Sequence, residues 1–246
     1  VTDLSVILPS YKGASQLKQS LPALQQWLGT LGKITEVIVV DDGSADNGAT
    51  EQVVKEAGCT FIGLPQNLGK GGAVRAGMRA ASGKIRLFTD ADVPFDEKSM
   101  ALFIEYLENK EFHIAIGDRT LEASKYFTEI SGARKLGSGI FTFLVGRFVT
   151  TGLHDTQCGL KGFRAEIADD LFGVSKLNSF AFDVELLYIA LKRNYDIKRL
   201  PVVFKSSHDE SSVSLLKHAP GMMLDLFRIK WNHITGKYNR RTSSHQ

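Results

Sequence analysis

Two aspartates flanking a single residue close an apolar run at Phe88-Thr89-Asp90-Ala91-Asp92, the sharpest chemical feature of the chain. A turn there can aim both carboxylates at one point, where they repel each other unless a cation sits between them. Hard oxygen ligands of this kind suit Mg2+ or Mn2+, cations that also bind substrate phosphates. The same pair could instead cap the helix that follows near Glu97. A second acidic cluster ends another apolar run, Val39-Val40-Asp41-Asp42-Gly43-Ser44. An acid just past a parallel strand can accept hydrogen bonds from a base or a ribose hydroxyl, while Ser44 and Asp46 also suit the cap of the next helix. The third feature, Asn67-Leu68-Gly69-Lys70-Gly71-Gly72-Ala73-Val74-Arg75-Ala76-Gly77, is a glycine-rich turn entering a helix. It matches neither the G-x-x-x-x-G-K-[ST] loop nor G-x-G-x-x-G, which disfavours a P-loop and a dinucleotide fingerprint. Its glycines permit either close backbone approach to a ligand or close helix–strand packing.

These residues need a scaffold that gathers strand ends. Leu4–Leu8 and Glu36–Val40 read as strands, dense in branched apolar residues. Between them, apolar residues at 17, 21, 24 and 28 have helical spacing, so the opening is a βαβ unit. The alternation continues through a helix at 48–57, a strand at 60–64, a helix at 71–81 and a strand at 85–89. Such a doubly wound sheet binds ligands where loops and helix N-termini converge on strand ends. Beyond Asp92 the sequence predicts a helix at 97–108, a strand at 113–117, a mostly helical stretch at 126–151, strands at 159–163 and 202–204, and a helix at 183–193.

The bulk properties are those of an ordinary globular chain: 246 residues, 43% hydrophobic, 23% charged and mean hydropathy −0.07. The formal charge is only +3, but Arg228, Lys230, Lys237, Arg240 and Arg241 crowd the end, which favours an anionic partner or a solvated tail. Cys59 and Cys158 have neither CxxC spacing nor a histidine cluster, so neither a zinc site nor a disulfide framework is indicated. No apolar run reaches the length of a membrane span, and the first residues lack a signal-peptide pattern. Nucleic acid is not an expected partner, since the basic residues are not interleaved with aromatics and no reader motif is present.

Taken together, Pro9-Ser10-Tyr11-Lys12-Gly13, VVDDGS, NLGKGGAVRAGM and TDAD resemble, in order and separation, glycosyltransferase family 2. The resemblance covers about residues 4–215. It implies an α/β GT-A fold: a single domain with a Rossmann-like, mostly parallel sheet and helices on both faces. It also implies that Pro9, Tyr11 and Asp42 line the nucleoside pocket, that Gly69, Lys70 and Arg75 join Asp90, Ala91 and Asp92 in binding the nucleotide sugar, and that Asp90 and Asp92 hold Mg2+ or Mn2+. On that basis residues 1–92 form the nucleotide-sugar-binding half and 93–217 the acceptor half of a catalytic unit, with 218–246 a C-terminal helix and basic tail. Gly117-Asp118-Arg119, Asp155-Thr156-Gln157-Cys158-Gly159-Leu160-Lys161-Gly162-Phe163 and Phe182-Asp183-Val184-Glu185-Leu186-Leu187 resemble the polyprenyl-phosphate branch, which includes dolichyl-phosphate glucosyl- and mannosyltransferases and their undecaprenyl relatives. The last motif is closer to the glucosyl members. Mannosyl members often carry a glutamine two residues beyond the paired acids, where this chain has Pro94.

The resemblance implies inversion in one displacement, with UDP-glucose the first-choice donor, GDP-mannose the second, and a polyprenyl phosphate the acceptor. Arg119 and Arg134 are the candidate phosphate-binding cations, because guanidinium meets phosphate in bidentate fashion. Asp155 is the family's candidate base, and Asp183 a second. A lipid phosphate, with a second pKa near ~6, is already mostly dianionic at neutral pH and needs no strong base, whereas a sugar hydroxyl would need one. Residues 218–235 read as an amphipathic helix, with Asp225, Arg228 and Asn232 on one face and Met222, Met223, Leu226, Phe227, Trp231 and Ile234 over the rest. Such a helix either docks on a membrane surface or packs on its own core. The expected location is cytoplasmic, including the cytoplasmic face of a membrane. A family 2 transferase acting on a polysaccharide or other soluble acceptor, and a catalytically silent nucleotide-sugar-binding regulatory module, are the alternatives.

Overall fold

The computed structural model describes residues 1–125, 153, 155–205 and 215–239. Seven strands form one sheet: β1 (Leu4–Ser10), β2 (Thr35–Asp41), β3 (Thr60–Gly63), β4 (Ile85–Phe88), β5 (Ile114–Gly117), β6 (Lys161–Arg164) and β7 (Ile197–Leu200), in the order β3-β2-β1-β4-β6-β5-β7. β3, β2, β1 and β4 are parallel, and among the described strands only β6 runs antiparallel to its neighbours β4 and β5. The helices are α1 (Ala14–Thr30), α2 (Ala49–Glu56), α3 (Lys70–Ala80), α4 (Glu97–Glu108), α5 (Ala165–Val174), α6 (Phe182–Lys192) and α7 (Leu215–Ile234).

Alternation along β1 explains the layers. Leu4, Val6 and Leu8 face one core with α1 and α4, while Ile7 faces a second core with α3, α5 and α6. The sheet is therefore apolar on both sides, as a mostly parallel sheet must be when helices cover both faces. In α1 the predicted Leu17, Leu21, Leu24 and Leu28 are the buried stripe. Helix α3 lies close to the sheet because it has a glycine at the contact: a Cβ on Gly77 would come within 2.5 Å of Ile7 Cγ2 and 2.9 Å of Val40 Cγ2.

The expected alternation from β1 to β4 is present, with shifts of one or two residues at element ends. Two corrections apply to the second half. The strand expected at 202–204 lies instead at Ile197–Leu200, and Val203 and Phe204 make only isolated bridges, to Lys125 and Phe95. Among the described strands β7 pairs with β5 alone, and it carries Lys198 over the Tyr106 and Phe112 rings and Arg199 on Asp118, so its charged pattern hides it. Helix α5 is an addition that the sequence reading did not contain. The helical expectation for 126–151 falls wholly outside the described residues, as does Arg134.

The tight seating of α3 gives a test of the layering. Gly77→Val is expected to overpack the helix–sheet contact and cost about 1–3 kcal/mol in urea denaturation.

Candidate active site

β6 decides where the site is. It starts beside the C-terminal ends of β4 and β5, with Lys161 opposite both Phe88 and Ile116. The segment 155–160 that leads into it is thereby carried across the two strand ends that bear Asp90 and Arg119. Gly159 lies directly on Asp90, and a Cβ there would strike the Asp90 carboxylate.

Asp90 follows β4 and pairs with the Lys70 ammonium at the start of α3. Burial pulls the Lys70 pKa down, but the Asp90 and Asp183 charges outweigh it and hold the ammonium above its usual value. The turn closes through a hydrogen bond from Val93 N–H to the Asp90 carbonyl at 2.9 Å, and the Ala91 carbonyl accepts from Ser20 Oγ at 2.6 Å. Asp92 is partly buried, with Oδ1 shielded from solvent. Neither acid caps α4, because that role belongs to Asp96, which accepts from Ser99 N–H at 2.8 Å. The capping alternative for the paired acids is thus removed.

Asp155 is buried and grips Arg119 in a two-pronged pair, Nε to Oδ2 and Nη2 to Oδ1, each 2.8 Å, and it also accepts from Arg119 N–H at 2.9 Å. Burial pushes its pKa up, but the Arg119 hydrogen bonds and charge win and hold it below the ordinary carboxylate value. Neighbouring Asp118 accepts from Arg199 Nε at 2.5 Å and from Thr120, fixing the end of β5. Asp183, in the first turn of α6, meets the Lys161 ammonium at 2.7 Å. Lys161 is 0% exposed and also donates to the Cys158 carbonyl at 2.7 Å. Burial drives the Asp183 carboxyl above its usual range against the pull of Lys161 and Lys70.

At the other strand ends, Tyr11 is exposed beside half-buried Pro9, with Lys12 Nζ 5.4 Å from the Tyr11 ring centre. Asp42 is buried, and its two oxygens accept from Leu68 N–H at 2.7 Å and Gly69 N–H at 2.8 Å, so it anchors the glycine-rich turn. Asp41 holds Ser44, while Asp46 accepts from the N–H and hydroxyl of Thr50 in the first turn of α2. The glycines of the turn face protein: a Cβ on Gly69 would meet the Asn178 carbonyl at 2.7 Å, and one on Gly71 would meet Phe182 Cβ at 2.6 Å. Arg75 points its guanidinium at the Ser175 and Leu177 carbonyls and the Asn178 side chain. The structure thus draws Lys70, Asp90, Asp155, Arg119 and Asp183 together, with Lys161 beneath them. Sequence reasoning singled out neither Lys161 nor Asn178. A lysine inside the apolar run Gly159–Phe163 was the available signal.

A metal would find two carboxylates of hard oxygen here, Asp90 and Asp92. Among the described residues no group of three or more His, Cys, Asp or Glu forms a self-contained metal site. Two acids with a shielded Asp92 oxygen fit a cation that takes its remaining ligands from water and substrate phosphate, as Mg2+ and Mn2+ do.

The C-terminal helix differs from its expected orientation. Asp225 and Asn232 face the protein together with Leu226 and Ile229, whereas Leu224, Phe227, Trp231 and Ile234 are 60%, 69%, 63% and 76% exposed. Asp225 turns inward because it accepts from Ser179 Oγ at 2.6 Å, and Asn232 because it lies against the Tyr238 hydroxyl. Among the described residues no helix is long and apolar enough to cross a membrane.

Comparison with known proteins places the chain in a family. The model for glycosyl transferase family 2 matches residues 5–172. The chain is 31% identical to the dolichyl-phosphate beta-glucosyltransferase of Dictyostelium discoideum, over 95% of this chain and 75% of that protein. It is 34% identical to the protein of the same name from Drosophila melanogaster, over 96% of this chain and 77% of that one. Among solved structures it resembles glucosyl-3-phosphoglycerate synthase from Mycobacterium tuberculosis in complex with Mn2+, UDP-glucose and phosphoglyceric acid, with TM-score 0.66 and 16% identity over 98% of this chain and 82% of that chain. That likeness is one of fold, the GT-A arrangement.

The buried pair under the site predicts a thermodynamic signature. Lys161→Met takes the contacting counter-charge from the buried Asp183 carboxylate and is expected to cost about 3–5 kcal/mol in urea denaturation at neutral pH. The double variant Lys161→Met with Asp183→Leu should recover most of that stability and none of the activity.

Proposed function

Because the chain belongs to glycosyl transferase family 2, we propose that this glycosyltransferase moves glucose from UDP-glucose to a polyprenyl phosphate of the dolichyl type, with inversion, at a membrane surface. The observation that carries this reading is the convergence of Asp90, Lys70, Asp155–Arg119 and Asp183–Lys161 on the ends of β4, β5 and β6. The names of relatives matched over nearly the whole chain favour glucose and dolichyl phosphate.

In this reading Asp90 and Asp92 would hold Mg2+ or Mn2+, which would supply neutralising charge to the leaving diphosphate. Lys70, kept protonated by its acidic neighbours, adds a fixed positive charge on the same side. Tyr11 and Pro9 form a wall for the nucleoside, and Asp42 acts chiefly through the glycine-rich turn it anchors. Arg119, aimed by Asp155, receives the acceptor phosphate. A phosphate monoester already carries most of its second negative charge at neutral pH, its second pKa being near ~6. Asp155 therefore serves as the aiming device for Arg119, and strong base catalysis is not needed. Asp183 fixes Lys161 and contributes negative potential beside Lys70.

The lipid acceptor is reached through α7. Its exposed Leu224, Phe227, Trp231 and Ile234, bordered by Arg228, Lys230 and Lys237, suit an anionic bilayer surface, where apolar burial and attraction between charges add.

Label from radiolabelled UDP-glucose should enter the organic phase with polyprenyl phosphate and Mn2+; label confined to a water-soluble sugar product would sink the acceptor assignment. Asp92→Ala is expected to lose about 100-fold or more of the metal-dependent turnover while the thermal midpoint stays close to wild type. Trp231→Ser should lower turnover of acceptor embedded in anionic vesicles several-fold and leave turnover of a short-chain, detergent-free acceptor unchanged.

A further inference from the structure

Glu185 is a buried acid that the reaction above does not use. It sits in the first turn of α6, where Phe182, Val184, Leu186, Leu187 and Ile189 are all core residues, and it is 0% exposed. A buried carboxylate is costly unless donors converge on it. Here Lys176 N–H bonds to both of its oxygens at 3.0 Å, Leu177 N–H to Oε2 at 2.8 Å and the Tyr238 hydroxyl to Oε1 at 2.7 Å.

The loop held by these bonds, Ser175–Ala181, presents its other polar groups to the donor side. The Ser175 and Leu177 carbonyls and the Asn178 side chain receive the Arg75 guanidinium, and the Asn178 carbonyl accepts from Gly71 N–H at 2.9 Å. Gly71 is adjacent to Lys70, whose ammonium meets Asp90. On the opposite side, Tyr238 comes from the turn that follows α7, with its carbonyl taken by Arg193 Nη2 at 2.7 Å, and Ser179 Oγ is tied to Asp225 of α7. A continuous set of hydrogen bonds therefore runs from the C-terminal turn to the first residues of α3.

We propose that Glu185, completed by the Tyr238 hydroxyl, is a positioning residue for the donor: it sets loop Ser175–Ala181, and through Asn178 and Arg75 it sets the lysine that faces the diphosphate. The inference rests on the donor-site reading above and deepens it, because it makes the segment after α7 part of nucleotide binding. A purely structural Glu185 would fasten α7 to α6 and leave donor affinity alone.

The test is titration of the full chain with UDP and Mn2+, beside steady-state KM values for UDP-glucose and polyprenyl phosphate. Tyr238→Phe removes one hydroxyl and should weaken UDP binding and raise the donor KM about threefold to tenfold, the range expected for one hydrogen bond, with acceptor KM unchanged. Tyr195→Phe removes a comparable hydroxyl bond, 2.6 Å to Asp170, at the far end of α6, and should leave UDP binding at the wild-type value. Glu185→Ala should exceed Tyr238→Phe in its effect on donor binding; should Glu185→Ala fail to fold, Tyr238→Phe carries the test. Equal UDP affinity in Tyr238→Phe and wild type overturns the inference and leaves the donor site standing, as does an equal loss in Tyr195→Phe. Wild-type protein that does not bind UDP with Mn2+ overturns the donor site and the inference together.

Discussion

A positive charge with no route to water organises this molecule. Lys161 begins β6, the strand antiparallel to both its described neighbours, and its ammonium lies under the site at 0% exposure. Burying an ammonium is tolerable only with a counter-charge at contact distance. Asp183 supplies it from the first turn of α6, an end where a negative charge is also favoured by the helix dipole. Fixing α6 on the sheet in turn fixes the loop before it, and that loop abuts the glycine-rich turn.

The acids of the site divide by what they touch. Asp42, Asp118 and Asp155 each accept from backbone N–H groups, and so act as local ties that hold a loop in one conformation. Asp155 also orients a guanidinium that is open to solvent on one side. Asp90 stands apart, its carboxylate facing a lysine and a glycine at the strand end. The antiparallel course of β6 creates this division, because it brings the segment 155–160 to β4 from the opposite direction. A wholly parallel sheet would have taken that segment to the far end of the strand, away from Asp90.

Helix α7 carries two opposed demands on one element. Asp225 and Asn232 are buried with Leu226 and Ile229, while four large apolar side chains face outward. Inward polar residues are stable because each meets a hydroxyl, Ser179 for one and Tyr238 for the other. The helix is thus both a core element and an apolar surface, and the two alternatives that its periodicity allowed are not exclusive.

The sequence alone determined the βαβ opening, the stripe of α1, the ends of β2 and β4 as acidic sites, and the family, because alternation, helical spacing and ordered motifs are properties of neighbours in the chain. It missed α5, misplaced β7 by several residues, and left the purpose of the glycines open between ligand and packing. Only the tertiary structure decided that Asp42 binds a turn 26 residues away, that Glu185 meets Tyr238 across 53 residues, and that Lys161 needs Asp183. Those pairings depend on strand order and on which groups are denied water, and neither is a function of local spacing.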